Sequence, residues 1–416
     1  MSMLALVLVP TIWIVDAANG PGTDFVDLPP ALAMAQSGDT ILVRAGSYST
    51  AALAGKALSI RGDGHTTTIV HGLTVDVVPA GELLVLAGMR VQPPNGPATA
   101  GLVLNGPGSM LLADCHVIGG DGTLGMPGLV VAYGAMVHAI RCGSFGGASS
   151  YQGQWASEAG DGARVIATGI LTATECTFVG GNSGDNVGGG TEGGDGLRVV
   201  GATARLYGTT CLGGLAGQAS PAMTATGGDA VVLTSGSLHV VGGAAPLLQG
   251  GTAVTATQNV QPGHAIRRAA GLAKADADVL LLPAAPGAPL VSGWVVLDQP
   301  QRPLLTVTGT QLPNGATDAL QPVTVAFEGL LPNAPCFLLV GFRPTLSSQV
   351  APELLVDLPT AGVTFDVLDT LGRFSFSFVP TWLLGLEGVP FFAQAGTFDP
   401  ALGVRTSNCE VRLFGR

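Results

Sequence analysis

The stretch GGDGLRVVG (193–201) has near-copies on both sides, AGDGARVIA at 159–167 and TGGDAVVLT at 226–234. Their aspartates, Asp161, Asp195 and Asp229, stand 34 residues apart at each step. Self-similarity at a fixed period of this size marks a stack of equivalent structural units. The units read GLVLNGPGSMLLADCHVIGG (101–120), GLVVAYGAMVHAIRCGSFGG (128–147), GARVIATGILTATECTFVGG (162–181) and GLRVVGATARLYGTTCLGG (196–214), with weaker copies at 230–251 and 265–283. Each is two or three short alternating runs between Gly-rich turns. Alternation sends every second side chain inward, yet one unit cannot bury its apolar face alone. Stacking solves this, each strand pairing with its equivalent in the next coil. Glycines are expected at the corners, where the chain needs positive φ. The predicted fold is all-β, a right-handed parallel β-helix (solenoid).

Composition agrees. Only 11% of residues are charged and 63 are glycine, while a 47% hydrophobic share argues against disorder. The net charge is −11 and there are two lysines, Lys56 and Lys274, with no basic tract. Nucleic-acid binding therefore has no support, and an acidic surface disfavours anionic membranes. The opening MSMLALVLVPTIWIV has an apolar run broken by Pro10, too short to span a bilayer. Residues 1–12 read as a leader remnant or a first strand.

The segment WIVDAANGPGTDFVDLPPALAMAQSGDTILVRAGSY (13–48) resembles the opening of secreted β-helix proteins of the pectate-lyase-like superfamily. The likeness rests on Gly38, Asp39, Thr40, Ile41, Val43, Gly46 and Tyr48, after a helix expected over 28–36. Asp27 is the predicted N-cap, with Pro29 in the first turn, and the helix would cover the open end of the stack. The resemblance implies a secreted or cell-surface β-helix over 13–285. It implies no activity, since that superfamily holds lyases, hydrolases, tailspikes, adhesins and non-catalytic members.

Beyond a Pro/Ala-rich junction (286–300) the repeat is lost. Alternating runs such as RFSFSFVP and CEVRLFG predict a β-sandwich over 301–416, resembling C-terminal modules of large secreted bacterial proteins. Cys336 and Cys409, the cysteines of this module, are expected to bridge its two sheets. Cys115, Cys142 and Cys176 lie 14 residues after the start of their units, and Cys211 lies 15 after. All four are expected at one register. Two readings stand: inward free thiols, or Cys115–Cys142 and Cys176–Cys211 disulfides.

The aspartate ladder also has two readings. Stacked carboxylates about 4.8 Å apart repel, so either calcium joins Asp161, Asp195 and Asp229, or each aspartate bonds amides of its own Gly-Asp-Gly turn. His264 takes the next place in the series and is a poor calcium ligand. Arg164, Arg198 and Arg267 recur three residues after Asp161, Asp195 and His264, with Val232 interrupting. In pectate-lyase-like enzymes such an arginine abstracts a proton. The resemblance thus makes Arg198 a candidate base, with Asp161, Asp195 and Glu158 as candidate catalytic carboxylates. The plain alternative is Arg–Asp neutralisation. Among the variable loops, ASSYQGQWASEA (148–159) carries Tyr151, Gln154 and Trp155, side chains on which sugar rings pack.

The functional expectation is a secreted or cell-surface protein that contacts a polysaccharide or cell-surface glycan without catalysis, with no cofactor beyond a possible calcium ion. A polysaccharide lyase or glycoside hydrolase is the first alternative. A structural stalk or filament subunit that self-associates is the second.

Overall fold

A computed structural model describes residues 10–94, 99–150, 157–185, 191–219, 223–241, 247–252, 260–276, 279–285, 288–298, 304–309, 317–318, 320–328, 333–341, 362–379, 390–399 and 403–415, some of the C-terminal strands by backbone alone. Among the described residues the regular structure is all strand apart from one helix, Leu28–Met34. Asp27 caps that helix by accepting the Leu28 amide at 2.8 Å, and Pro29 stands in its first turn. Leu28, Ala31 and Leu32 join the main core. The Lys56 ammonium donates to the carbonyls of Leu32, Ala33 and Ala35, the orphan acceptors of the last turn. Asp39 of the GDTI segment accepts from the Thr11 amide, the Gln36 amide and the Trp13 indole. Burial opposes its charge, but those donors outweigh it and hold the carboxyl below its usual value.

Three sheets are wholly parallel, and in each a strand pairs with its counterpart one coil away. In the largest, Gly108–Ala113, Ala135–Ile140 and Ile170–Thr174 form one row, and Leu102–Asn105, Leu129–Val131 and Ala163–Ile166 form another. The rows merge where Leu197–Tyr207 and Val231–Val241 run straight through both, with a bulge around Val200. The second sheet stacks Gly46–Tyr48 through Leu280–Leu282. The third stacks Ser157–Glu158, Thr191–Glu192, Ala225–Thr226 and Val260–Gln261. This pairing is compatible with a parallel β-helix. The same-register pairs Leu102/Leu104, Leu129/Val131, Ala163/Val165 and Leu197/Val199 point inward and are wholly buried. Each buried Leu or Val contributes roughly 1.5–3 kcal/mol. The parallel pairing continues through Val291–Ser292 and Val296–Asp298, so the segment expected as a junction carries strands of its own.

The Gly-rich corners differ from expectation in their physical reason. Gly147, Gly160, Gly181, Gly194, Gly214, Gly228, Gly251 and Gly263 form one zigzag of hydrogen bonds of 2.7–3.0 Å, each amide donating to the preceding carbonyl of the series. The legs that leave the stack and those that return to it thus interleave in a neck. A Cβ on Gly194 would lie 1.9 Å from the Gly160 carbonyl oxygen, and one on Gly228 1.9 Å from that of Gly194. None of these glycines has positive φ. Close backbone approach, not left-handed conformation, requires glycine here. The left-handed corner lies elsewhere: glycine takes it at Gly88 and Gly208, with φ of 64° and 53°, and Asp114, Arg141 and Glu175 take it in the coils between, with φ of 51°, 48° and 52°.

The cysteine column also departs from the sequence reading. Cys115, Cys142, Cys176 and Cys211 are buried free thiols. Thr177 pairs with Thr210 and Phe178 with Cys211, which puts Thr209, not Cys211, level with Cys176. The Cys115, Cys142 and Cys176 thiols point to the carbonyl two residues back, and the Thr209 hydroxyl does the same. The fourth cysteine is thus two residues out of register. Burial pushes the Cys115, Cys176 and Cys211 thiols up from their usual value.

The C-terminal strands form two further sheets. Leu304–Gly309, Val323–Glu328 and Arg373–Phe378 are antiparallel. Thr317–Asp318, Gly403–Gly415, Pro390–Asp399, Pro335–Gly341 and Gly362–Val367 make the other, antiparallel except at Thr317–Asp318. Both sheets feed one apolar cluster, with Leu305, Val325 and Phe327 from one and Leu338, Phe391 and Ala393 from the other. The expected Cys336–Cys409 bridge is not formed: Cys336 is a free thiol. Cys336 and Cys409 lie in the same sheet on opposite sides of Pro390–Asp399. Two strand spacings, about 9–10 Å, exceed the Cα range of a disulfide. The Cys409 side chain is outside the described residues.

Candidate functional site

Asp161, Asp195 and Asp229 fall at equivalent points of successive coils, each just after a neck glycine. They are 0%, 1% and 3% exposed; Asp229 alone of the three borders an open pocket. Asp161 Oδ1 accepts the Asp195 amide at 3.2 Å, Asp195 Oδ1 accepts the Asp229 amide at 2.9 Å, and Asp229 Oδ1 accepts the His264 amide at 2.6 Å. Each carboxylate therefore ties the next coil, not its own turn. This corrects the Asx-turn reading: the inter-coil register sets an amide 34 or 35 residues away against each carboxylate.

The second carboxylate oxygens take cations from the adjoining strands. Arg164 Nε donates to Asp161 Oδ2 at 2.7 Å, and Arg198 Nε lies 3.2 Å from the same oxygen. Arg198 Nη2 stands 2.8 Å from Asp195 Oδ2. Asp229 pairs through Oδ2 with Arg267 Nε and through Oδ1 with His264 Nδ1 at 2.9 Å. Burial first, and then Asp161, push the Asp195 carboxyl well above its usual value. Burial opposes the charge of Arg198, but Asp195, Asp161, Glu158 and Glu192 outweigh it and raise its guanidinium further. That is the reverse of what a proton-abstracting base requires. The acceptors a calcium ion would need are engaged by amides and guanidinium groups. Among the described residues no group of three or more His, Cys, Asp or Glu side chains is placed to hold a metal ion.

Glu158 is half-buried on the third sheet and pairs in register with Glu192, which pairs with Thr226, and that with Gln261. Burial and then Glu158 push the Glu192 carboxyl up, partly offset by Arg198 and Arg267. Sequence reasoning named Glu158 and missed the rest of this row. Its spacing of 34, 34 and 35 residues was a usable signal. Tyr151, Gln154 and Trp155 lie outside the described residues. At the last rung an open pocket of about 280 Å³ lies between Thr226, Gln261, His264 and Arg267.

No protein-family model matches the chain, and no curated protein matches it. Among solved structures it is similar to ORF18 of Geobacillus virus E2, at 9% sequence identity over 85% of this chain and 73% of that chain, with a TM-score of 0.29. A likeness at that TM-score carries no argument about fold or function.

Proposed function

We propose that this chain is a secreted or cell-surface right-handed parallel β-helix of the pectate-lyase-like type, followed by a C-terminal β-sandwich, and that it binds a polysaccharide or cell-surface glycan without cleaving it. One observation carries the non-catalytic part: Asp161, Asp195 and Arg198, which a lyase or hydrolase would use, are engaged in tying coil to coil. Binding is supported by the third sheet, whose row of Glu158, Glu192, Thr226 and Gln261 repeats polar groups once per coil along one side. The segment with Tyr151, Gln154 and Trp155 leads directly into that row. A repeating polar row suits a repeating polymer, and aromatic faces suit its rings.

A glycan array tests this reading. The full chain binds at least one polysaccharide class, and Trp155→Ala weakens that binding about tenfold. Release of unsaturated, ultraviolet-absorbing products, or of reducing ends, would replace it with the lyase or hydrolase alternative. One observation favours self-association as a second reading. Among the described residues Gly362–Val367 is the outermost strand of its sheet and exposes Val363, Phe365 and Val367, and such an edge is a template for pairing with another chain. Sedimentation without ligand checks it.

A further inference from the structure

We propose that the pocket at the last rung of the aspartate ladder is a binding subsite for a single neutral sugar residue. The inference rests on the glycan-binding reading above and adds its location and ligand class. At the first rung, Arg164 and Arg198 both pair with Asp161. Val232 sits in register between Arg198 and Arg267, so the arginine column is broken one coil before the pocket. Beside Asp229 and Arg267 the surface opens into a space of about 280 Å³. That is near the lower end of ligand pockets, roughly 300 Å³, and suits one ring better than a long segment of polymer.

The lining has the chemistry of a sugar. Asp229, 3% exposed, does not present itself but orients its neighbours. His264 faces it through Nδ1, which leaves Nε2 for a ligand, and Arg267 faces it through Nε, which leaves the terminal nitrogens. His264 Nε2 donates or accepts according to the ring's tautomer. The Arg267 terminal nitrogens are donors, while the Thr226 hydroxyl and the Gln261 amide are both. Sugar hydroxyls also donate and accept, so they satisfy this mixed set. An anion offers acceptors alone and would enter the field of Asp229 and Glu192 in a chain of net charge −11. Val260 and Pro289 supply an apolar wall for the C–H face of the ring.

The test uses the full chain with methyl glycosides of glucose, galactose and mannose, and of glucuronic acid, read by saturation-transfer NMR beside the glycan array. Binding of at least one neutral glycoside is expected. His264→Ala and Gln261→Ala are each expected to weaken it about tenfold, with circular dichroism and the melting temperature holding for Gln261→Ala. Gln261 is exposed, so it carries the test if His264→Ala fails to fold. If glycans bind on the array but the neutral glycosides do not, or if Gln261→Ala and Thr226→Val leave their binding unchanged, the subsite is overturned and the glycan-binding reading survives. If the unaltered chain binds no glycan at all, both fall.

Discussion

At the neck, Gly160, Gly194 and Gly228 are packed backbone against backbone, and none has positive φ. At the other corner of the same coils, Asp114, Arg141 and Glu175 hold left-handed φ near 50° without being glycine. The two corners separate requirements that glycine usually meets together. A missing Cβ is indispensable where another backbone fills its place. A positive φ is only a moderate cost, roughly 1–2 kcal/mol, that a side chain can bear in open space. The neck glycines therefore report interleaved backbones, while the left-handed corner mixes glycine, at Gly88 and Gly208, with Asp114, Arg141 and Glu175 and so shows no unbroken glycine column.

The sharpest way to break the comparison is Gly194→Ala. Its Cβ would lie 1.9 Å from the Gly160 oxygen and 2.6 Å from that residue's carbonyl carbon, so two coils must part. We expect loss of about 4 kcal/mol or more, or failure to fold. Gly201→Ala is the control. Gly201 has φ of 61° and its Cβ would meet only Ser235 Oγ at 3.9 Å, so the expected cost is about 1 kcal/mol. Equal melting temperatures for the two variants would refute the distinction.

Next in size is the carboxylate that ties the neck. Asp195→Ala removes the acceptor of the buried Asp229 amide and leaves Arg198 with Asp161 alone, an expected loss of about 3–5 kcal/mol. Asp195→Asn keeps an acceptor for that amide. Because burial and Asp161 already favour a neutral group there, we expect the amide to cost only about 1 kcal/mol. Chemical unfolding at neutral pH ranks the three proteins, and an Asn variant as unstable as the Ala variant would show that the charge itself holds the coil.

Acid sharpens the contrast between the two corners. His138 lies on Ala135–Ile140, the strand that runs into the Arg141 corner, and burial first, then Arg205, lowers its pKa from 6.5 to about 4. Its contribution is thus fully present above pH 6.5 and is lost as pH falls toward 4. The size is roughly 3 kcal/mol by linkage. Asp195 has the opposite sign. Its raised carboxyl adds stability below the ordinary carboxylate range and loses it as pH rises through the raised value. Melting curves between pH 7 and pH 4 should therefore fall less steeply for His138→Leu than for the unaltered chain. An unchanged slope would remove His138 from the acid response.

The stack was legible because its period is written in side chains that point inward and in the neck glycines. The Asp27 cap was legible because the amide it accepts belongs to the next residue, and the GDTI segment because its residues resemble a known opening, although two of the partners of Asp39 lie 26 and 28 residues away. What was not legible depended on register between coils. Counting from the unit's first glycine placed Cys211 with the other cysteines, whereas the pairing puts Thr209 there, a residue of similar size that makes the same hydrogen bond. The partner of each aspartate is an amide 34 or 35 residues away, which no local rule about Gly-Asp-Gly turns can name. The row of Glu158, Glu192, Thr226 and Gln261 sits on two-residue strands, too short to show alternation.

The smallest expected effect tests the other half of the comparison. Glu175 is exposed and holds φ of 52°. Glu175→Gly relieves the left-handed penalty, while glycine's greater freedom in the unfolded chain returns part of the gain. The net should be a stabilisation of about 0.5–1 kcal/mol. Arg141 holds nearly the same φ, but its Nε and Nη2 each meet an Asp114 oxygen at 2.8 Å. Arg141→Gly relieves the same strain and loses a bidentate pair, so it should gain nothing or lose stability. A rise in melting temperature for Glu175→Gly with none for Arg141→Gly would show that φ is the cost at this corner and the ion pair its compensation. A fall for both would mean that the left-handed corner, like the neck, depends on the side chains it carries.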